Sequence, residues 1–209
     1  MTIAIKGLYA ITPECADTAV LRNKLELALR GGAALVQYRS KSDDVAFKHE
    51  QAAELLTLCR TFHVPMIIND DLRLATLIDA DGVHIGENDP SLKDARINLG
   101  PDKIIGVSCY QDLQRAAQFA QLGADYVAFG SFYPSSTKPD ARPCPLELLT
   151  QAKTKLQLPI VAIGGITAEN APTLIQAGAD AVAVISALFD APDIELAAHI
   201  FSSYFATKH

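Results

Sequence analysis

Short apolar runs recur along the chain at regular intervals, and polar segments with helical spacing separate them. Most of these runs are continuous rather than alternating, and they are rich in Val, Ile and aromatic residues. Continuous apolar runs are typical of strands buried on both faces, as in a parallel sheet. The pattern predicts eight strands, at residues 8–12, 34–40, 66–70, 82–86, 104–108, 126–131, 160–165 and 181–186.

Five of the intervening segments have the spacing of amphipathic helices, at residues 18–32, 45–62, 90–100, 113–123 and 166–178. The first segment places three leucines four residues apart on one face, namely Leu21, Leu25 and Leu29. It runs into Gly31, a residue type that commonly ends helices. Ser42 and Asp43 are the N-cap candidates for the second helix.

Strands that alternate with helices over 209 residues predict a (β/α)8 or TIM barrel, as a single α/β domain over residues 1–209. A weak internal repeat supports this fold. Residues 78–86, 122–130 and 177–185 each contain a small-residue turn, an Asp and an apolar strand. The alternative is an open doubly wound sheet, but no Gly-x-Gly-x-x-Gly turn follows the first strand.

Composition narrows the class of protein. The chain is 49% hydrophobic and 20% charged, as in a globular protein with a sizeable core. No apolar run reaches the roughly 20 residues of a membrane helix, and the N-terminal segment is typical of a first strand rather than a signal peptide. The four cysteines are widely spaced, which argues against a disulfide framework or a zinc site. Because signal-peptide features are missing, we expect a cytosolic protein with no membrane partner. The net charge of −6 gives no sign of nucleic-acid binding, and a homo-oligomer is compatible with these features.

Polar residues cluster where the predicted strands end, which is the side of a barrel that carries active sites. Most strand ends carry groups that suit phosphate or metal. They are Gln37, Arg39 and Lys41 at the end of strand 2, Asn69, Asp70 and Asp71 at the end of strand 3, Asp89 after strand 4, Ser108 at the end of strand 5, Ser135, Thr137 and Lys138 after strand 6, Gly164 and Gly165 at the end of strand 7, and Ser186 at the end of strand 8.

This rim predicts two anion sites. Arg39, Lys41 and Lys138 are cations that suit phosphate oxygens. Asp70 and Asp89 are hard oxygen ligands on neighbouring strands, and Mg²⁺ would relieve their repulsion. Cations and a metal together suit a diphosphate. The loops after strands 7 and 8 suit a monophosphate held by backbone N–H groups.

Each of these residues also has a purely structural interpretation. We expect Asp71 to cap the helix after strand 3, whereas Asp89 and Ser186 are also compatible with turn or cap positions. His84 lies inside strand 4 and is expected to be a core histidine with hydrogen-bond partners rather than a catalytic group. What favours function is that so many suitable groups converge on one rim.

The rim motifs resemble those of thiamine phosphate synthase. The matching stretches are QYRSK (37–41), INDD (68–71), DADGVHIGENDP (79–90), GVSC (106–109), YPSSTKPD (133–140), PIVAIGGI (159–166) and GADAVAVISAL (178–188). Their order is that of the family, and they span nearly the whole chain. The combination of Gln-x-Arg-x-Lys, Asn-Asp and Ser/Thr-x-Thr-Lys is much narrower than the Gly-Gly shared by many phosphate-binding barrels.

The resemblance implies a Mg²⁺-dependent transferase. Such an enzyme joins a hydroxymethylpyrimidine diphosphate to a thiazole phosphate, and thiamine phosphate and pyrophosphate are released. The implied mechanism is dissociative, since pyrophosphate leaves before the thiazole nitrogen attacks. Positioning and charge stabilisation would then supply catalysis without a nucleophile–base pair.

The resemblance also assigns roles residue by residue. On the pyrimidine side, Gln37 would contact the ring, Asp70 and Asp89 would bind Mg²⁺, and the diphosphate would be held by Arg39, Lys41, Asn69 and Lys138. Ser108 would line the reacting centre and would form the catalytic set with Arg39 and Lys138. On the thiazole side, Ser135 and Thr137 would contact the substrate, Gly165 and Ser186 would bind its phosphate, and Val184 and Ile185 would complete the substrate-binding set. Ser135 departs from the Thr usual in the family but keeps the hydroxyl, and Pro143, Cys144 and Pro145 make the following segment unusually proline-rich.

Three rival functions remain open from the sequence. A thiazole tautomerase-like relative would share the barrel but lack the metal and diphosphate residues. A non-catalytic barrel would bind a thiamine-related phosphate without needing a metal site. A sugar-phosphate isomerase or epimerase would need a general acid or base at the rim, for which His84 is the only weak candidate.

Overall fold

Eight parallel strands close into a barrel in the computed structural model, which describes residues 5–87, 89–134 and 143–206. The strands are β1 Gly7–Ile11, β2 Leu35–Tyr38, β3 Met66–Asn69, β4 Gly82–Ile85, β5 Ile104–Tyr110, β6 Tyr126–Phe129, β7 Ile160–Ile163 and β8 Ala181–Val184. Each strand pairs with its neighbours in sequence, and β8 pairs with β1. This closure confirms the predicted TIM barrel and excludes an open doubly wound sheet.

Helices connect the strands on the outside of the barrel. Within the described ranges they are α1 Thr18–Arg30, α2 Val45–Thr61, α3 Leu72–Leu77, α4 Leu92–Leu99, α5 Leu113–Gln121, α6 Glu147–Lys155, α7 Ala171–Gln176, α8 Ser186–Phe189 and α9 Ile194–Ser203. The three leucines predicted to share one face of α1 are all buried, and Gly31 is its C-cap. Among the helices of these ranges, none combines the length and apolarity that a membrane span needs.

Every predicted strand differs from the observed one by one or two residues at one end or both. Two of the wrong boundary predictions have an identifiable cause. The N-cap of α2 is Asp44, whose carboxylate accepts a hydrogen bond from the Phe47 N–H at 3.0 Å, so neither Ser42 nor Asp43 caps this helix. Strand β5 runs two residues past its predicted end, to Tyr110, because its pairing with β6 shifts register between Ser108 and Tyr110. The irregularity lies at the rim where Ser108 was expected to act.

Two apolar clusters stabilise the barrel. One fills its interior and includes Tyr9, Ile67, Tyr126 and Val161, all of which are almost fully buried. The larger cluster lies between the strands and the surrounding helices. Each fully buried large apolar side chain contributes roughly 1.5–3 kcal/mol relative to exposure, so the two clusters supply most of the driving force for closure.

The internal repeat has a structural cause. In each repeat, the Asp precedes a strand and its carboxylate accepts a hydrogen bond from the first or second N–H of the preceding strand in the chain. The pairs are Asp81 with Met66 at 2.8 Å, Asp125 with Ile105 at 2.7 Å and Asp180 with Ile160 at 2.9 Å. These contacts lie at the N-terminal end of the barrel, opposite the rim, so the repeat serves the fold rather than the site.

Candidate active site

The carboxyl groups of Asp70 and Asp89 lie within hydrogen-bonding reach of each other where β3 and β4 end. Asp70 has a φ of 62°, a left-handed conformation that Asp adopts more readily than most residues. Its N–H donates to the carbonyl oxygen of His84 on β4 at 2.8 Å. Asp89 is held by the Gly86 N–H, which donates to Oδ2 at 2.5 Å. Both acids are therefore fixed through backbone contacts at neighbouring strand ends.

The carboxyl group of Asp70 resists ionisation. Desolvation first, then the hydrogen bond and negative charge of Asp89, raise the pKa of Asp70 to about 6. Two groups lower this pKa: the Asn69 side-chain amide, which donates to Oδ2 of Asp70 at 2.6 Å, and the positive charge of Arg39. Two hard oxygen donors that are unfavourable when both are ionised form a set that a divalent cation would stabilise.

The size of this donor set suits Mg²⁺. Among the described residues, no group of three or more His, Cys, Asp or Glu side chains could hold a metal. Mg²⁺ typically takes one or two carboxylates and fills its remaining positions with water and substrate phosphate oxygens. Asp70 retains exposed surface at the rim although neighbouring atoms partly desolvate its carboxyl group, so such a substrate can reach it. The residues present therefore fit the expected metal.

Arg39 is positioned by residues from the end of β1. The Arg39 N–H donates to Oγ1 of Thr12 at 2.9 Å, and its guanidinium lies 3.2 Å from a carboxylate oxygen of Glu14. The other oxygen of Glu14 accepts the Lys41 N–H at 3.0 Å. Glu14 therefore orders the segment that carries both cations. Sequence reasoning missed this residue, although its place just after β1 was a usable signal.

Asp71 acts structurally, as predicted. Its Oδ1 accepts the Leu74 N–H at 2.9 Å and so caps α3. Its Oδ2 lies 3.3 Å from the ammonium group of Lys48. Both carboxylate oxygens are thus engaged away from the Asp70–Asp89 pair, which separates Asp71 from the candidate metal site.

Ser108 and Gln37 border the barrel interior. Oγ of Ser108 lies 2.8 Å from Nε2 of His84, and Nδ1 of His84 lies 2.9 Å from the hydroxyl of Tyr126. Gln37 is buried and its Nε2 donates to the hydroxyl of Tyr9 at 2.8 Å. His84 is 8% exposed, so the expectation of a core histidine with partners on its ring is confirmed.

Arg115 is a further residue that the sequence did not reveal. Its Nε donates to the carbonyl oxygen of Ser108 at 3.0 Å, and its guanidinium also reaches the carbonyl oxygen of Gly86 at 3.4 Å. The guanidinium carbon lies 4.8 Å from the ring centre of Phe119 on the same helix. Arg115 therefore bridges the two strand ends that carry Ser108 and Asp89. On a predicted surface helix, an arginine gives no signal of such a role.

The loops after β7 and β8 present backbone groups. Gly164 and Gly165 have φ values of 104° and 61°, and a Cβ on Gly165 would collide with the carbonyl oxygen of Pro134. Within the described part of the chain, the N–H groups of Gly165 and Ile166 donate to no other group. The close packing requires glycine whether or not a ligand binds, while the unpaired N–H groups are available to an anion.

Ser186 is the first residue of α8. Its N-cap position is Ile185, and no side-chain cap bond is formed, so the alternative of Ser186 as a helix cap finds no support. Ser186 is exposed, Ile185 is half-buried and Val184 is buried as the last residue of β8. Only Ser186 of the three predicted binding residues here presents an exposed side chain to a ligand.

Three predicted site residues, Ser135, Thr137 and Lys138, lie outside the described residues. Asn88 does as well. The four cysteines are all free, and burial raises the pKa of the Cys59 and Cys109 thiols to about 12 and that of Cys144 to about 11. None of these three buried thiols is suited to act as a nucleophile.

Comparisons with known proteins agree on one family. A family model described as thiamine monophosphate synthase matches residues 8–188. The thiamine-phosphate synthase of Thiobacillus denitrificans is 60% identical over 97% of this chain and 96% of its own length. That of Methylobacillus flagellatus is 56% identical over 96% of both chains. Among solved structures, thiamine phosphate pyrophosphorylase from Pyrococcus furiosus is 33% identical with a TM-score of 0.84, and 95% of each chain is covered.

Proposed function

The chain belongs to the thiamine monophosphate synthase family, and from that premise we propose that it is itself a thiamine phosphate synthase. Its substrates are 4-amino-2-methyl-5-hydroxymethylpyrimidine diphosphate and hydroxyethylthiazole phosphate. The C–O bond between the pyrimidine methylene and the diphosphate breaks, and the bonding electrons leave with pyrophosphate. The thiazole nitrogen then attacks the methylene carbon, which gives thiamine phosphate.

The observation that carries this proposal is the carboxyl pair of Asp70 and Asp89 at the ends of neighbouring strands. A reaction that expels a diphosphate needs its negative charge stabilised, and this pair beside Arg39 supports that use. When bound there, Mg²⁺ would act as a Lewis acid on the leaving diphosphate.

The other rim residues divide between the two substrates. Arg39, Lys41, Asn69 and Lys138 hold the diphosphate, and Ser108 donates a hydrogen bond at the reacting centre. Gln37 orients the pyrimidine ring. Ser135 and Thr137 face the thiazole side, while Gly165, Val184, Ile185 and Ser186 form the thiazole phosphate site. Among the described residues, the N–H groups of Gly165 and Ile166 have no acceptor, which supports this second site.

The three rival functions are less well supported. A thiazole tautomerase-like or purely binding barrel has no use for the Asp70–Asp89 pair. A sugar-phosphate isomerase would use His84 as its acid or base, but this ring lies inside the barrel and is hydrogen-bonded through both nitrogens. A single domain over residues 1–209, a cytosolic location and a homo-oligomeric assembly remain predictions.

The proposal is tested by incubating the purified chain with both phosphorylated substrates and Mg²⁺ and identifying products by mass spectrometry. Thiamine phosphate should form only when both substrates are present. A thiazole isomer formed without the pyrimidine would instead identify a tautomerase. Tight binding of thiamine phosphate with no product at any Mg²⁺ concentration would identify a non-catalytic barrel.

A further inference from the structure

A continuous chain of polar side chains crosses the barrel interior beneath the rim. Its members, in order of contact, are Gln37 on β2, Tyr9 on β1, Tyr126 on β6, His84 on β4 and Ser108 on β5. The four contacts measure 2.8, 2.8, 2.9 and 2.8 Å. Strands β1 and β6 are not neighbours, and neither are β4 and β6, so the contacts of Tyr126 span the interior.

Solvent does not reach the two phenol hydroxyls, so their hydrogen-bond partners must be protein groups. Tyr9 is 1% exposed and Tyr126 is fully buried, and both rings belong to the apolar cluster inside the barrel. Burial raises the pKa of both phenols above the ordinary value, so both hydroxyls keep their protons at neutral pH. Each phenol therefore has one proton to donate, and a buried proton without an acceptor would be costly.

Donor counting sets the direction of the chain. Gln37 Nε2 donates to Tyr9, so Tyr9 uses its own proton on Tyr126. Tyr126 in turn donates to Nδ1 of His84. Nδ1 is then the acceptor of a neutral imidazole, the ring proton resides on Nε2, and Nε2 donates to Oγ of Ser108. No buried side-chain nitrogen or oxygen among the described residues lacks a partner, so every member of this hydrogen-bond chain is engaged.

We propose that Tyr9, Tyr126 and His84 are positioning residues. The two tyrosines hold His84 as its neutral Nε2–H tautomer, and His84 in turn leaves the Ser108 hydroxyl proton free for a substrate oxygen. This inference rests on the proposed function for the identity of that oxygen, which belongs to the leaving diphosphate. At the other end of the chain, the carbonyl oxygen of Gln37 remains an acceptor for the amino group of the pyrimidine.

This chain of hydrogen bonds thereby connects the residue at the pyrimidine end of the substrate, Gln37, with the residue at its diphosphate end, Ser108. Turning the Gln37 amide around would reverse every donor in this chain of hydrogen bonds, and the Ser108 hydroxyl would then donate its proton to Nε2 of His84. A Ser108 hydroxyl committed to His84 could accept but not donate, and it would repel a diphosphate oxygen instead of stabilising it. The orientation of one amide at the pyrimidine end therefore decides the hydrogen-bonding role of the serine at the diphosphate end.

The first test is the tautomer of His84 in the wild-type chain, measured by NMR with ¹⁵N-labelled histidine. The chain has five histidines, and His84→Gln identifies the signals of His84 by their disappearance. We expect Nε2 to be protonated and Nδ1 to be unprotonated. A proton on Nδ1 would overturn the proposal, because the hydrogen bonds would then be donated in the opposite direction, from Ser108 towards Gln37. This measurement needs no turnover, so it stands apart from any failure of the proposed function.

The second test is kinetic and compares two buried phenols. Tyr126→Phe removes the donor to Nδ1, whereas the control Tyr38→Phe removes a buried hydroxyl that bonds Gln51 at 3.1 Å outside the barrel interior. For Tyr126→Phe we expect kcat to fall by about tenfold, with KM for the pyrimidine diphosphate nearly unchanged and the His84 signals shifted. Tyr38→Phe should alter neither. Equal kcat values in the two variants would overturn the positioning role.

Discussion

The carboxyl group of Asp70 lies within hydrogen-bonding reach of that of Asp89 across the ends of β3 and β4. The negative charge of Asp89 contributes to the raised pKa of Asp70, whereas a divalent cation bound there would favour the ionised form of Asp70. Removing either carboxylate should therefore change how turnover depends on the metal, and the neighbouring Asp71 provides a control in the same segment.

The first prediction concerns this pair. Asp70→Asn and Asp89→Asn should each raise the Mg²⁺ concentration for half-maximal turnover by at least about tenfold, because each removes one anionic ligand. Asn is chosen because it tolerates the left-handed backbone of Asp70. Asp71→Asn keeps a side chain able to cap α3 and should leave the metal dependence unchanged. A titration of initial rates with Mg²⁺ decides, and identical curves for all four proteins would refute the metal assignment.

The second prediction concerns Arg115, whose guanidinium joins the carbonyl oxygens of Ser108 and Gly86. Arg115→Gln should lower kcat/KM by about tenfold while the chain stays folded, since a hydrogen bond to a charged group contributes about 1.5–3 kcal/mol. The matched control is Arg30→Gln, which removes an exposed ion pair with Glu26 on α1. Steady-state kinetics and circular dichroism separate the two effects. Equal kcat/KM in both variants would show that Arg115 does not position the rim.

The third prediction concerns the repeat. Asp180→Ala should lower the free energy of unfolding by about 1–3 kcal/mol, because the buried Ile160 N–H loses its acceptor. Turnover per folded molecule should not change, since Asp180 lies at the opposite end of the barrel from the rim. Glu26→Ala, which removes ion pairs on the surface of α1, should cost less than about 1 kcal/mol. Urea denaturation measures both, and equal losses would contradict the structural role of the repeat.

The fourth prediction concerns the thiols. The pKa values of about 12 for Cys59 and Cys109 and about 11 for Cys144 lie above the usual thiol range, so the reactive thiolates form only at strongly alkaline pH. At pH 8, an aromatic disulfide reagent should label the half-buried Cys15 rapidly in the native chain. The other three should react only when the chain unfolds in urea. Rapid labelling of more than one thiol in the native chain would contradict the burial seen here.

The sequence predicted the barrel well because its physical signals are local. Continuous apolar runs located all eight strands, and Gly31 and Asp71 showed where individual helices end and begin. The N-cap of α2 was wrong because Ser42, Asp43 and Asp44 are all good caps in a row. Only the folded backbone distinguishes them. The helix begins at Val45, and the Asp44 side chain accepts a hydrogen bond from the N–H of Phe47 in its first turn.

The interior of the site could not be predicted because its contacts are remote in sequence. Tyr9 and Tyr126 are separated by 117 positions, and each resembles an ordinary core aromatic within its own strand. Arg115 likewise resembles a solvated helix residue until its helix is placed against β5. The rim residues were accessible to sequence reasoning for a different reason, since the chemistry of phosphate and Mg²⁺ limits which residue types can serve.

The most direct test of the central claim is to quantify both products of the wild-type chain during one time course. Given both substrates and Mg²⁺, thiamine phosphate and pyrophosphate should appear in equal amounts at every time point, and omitting either substrate should abolish thiamine phosphate. Pyrophosphate without an equal amount of thiamine phosphate would mean that the chain hydrolyses the pyrimidine diphosphate instead of coupling it. Neither product from a folded, substrate-binding chain would contradict the assignment as a synthase.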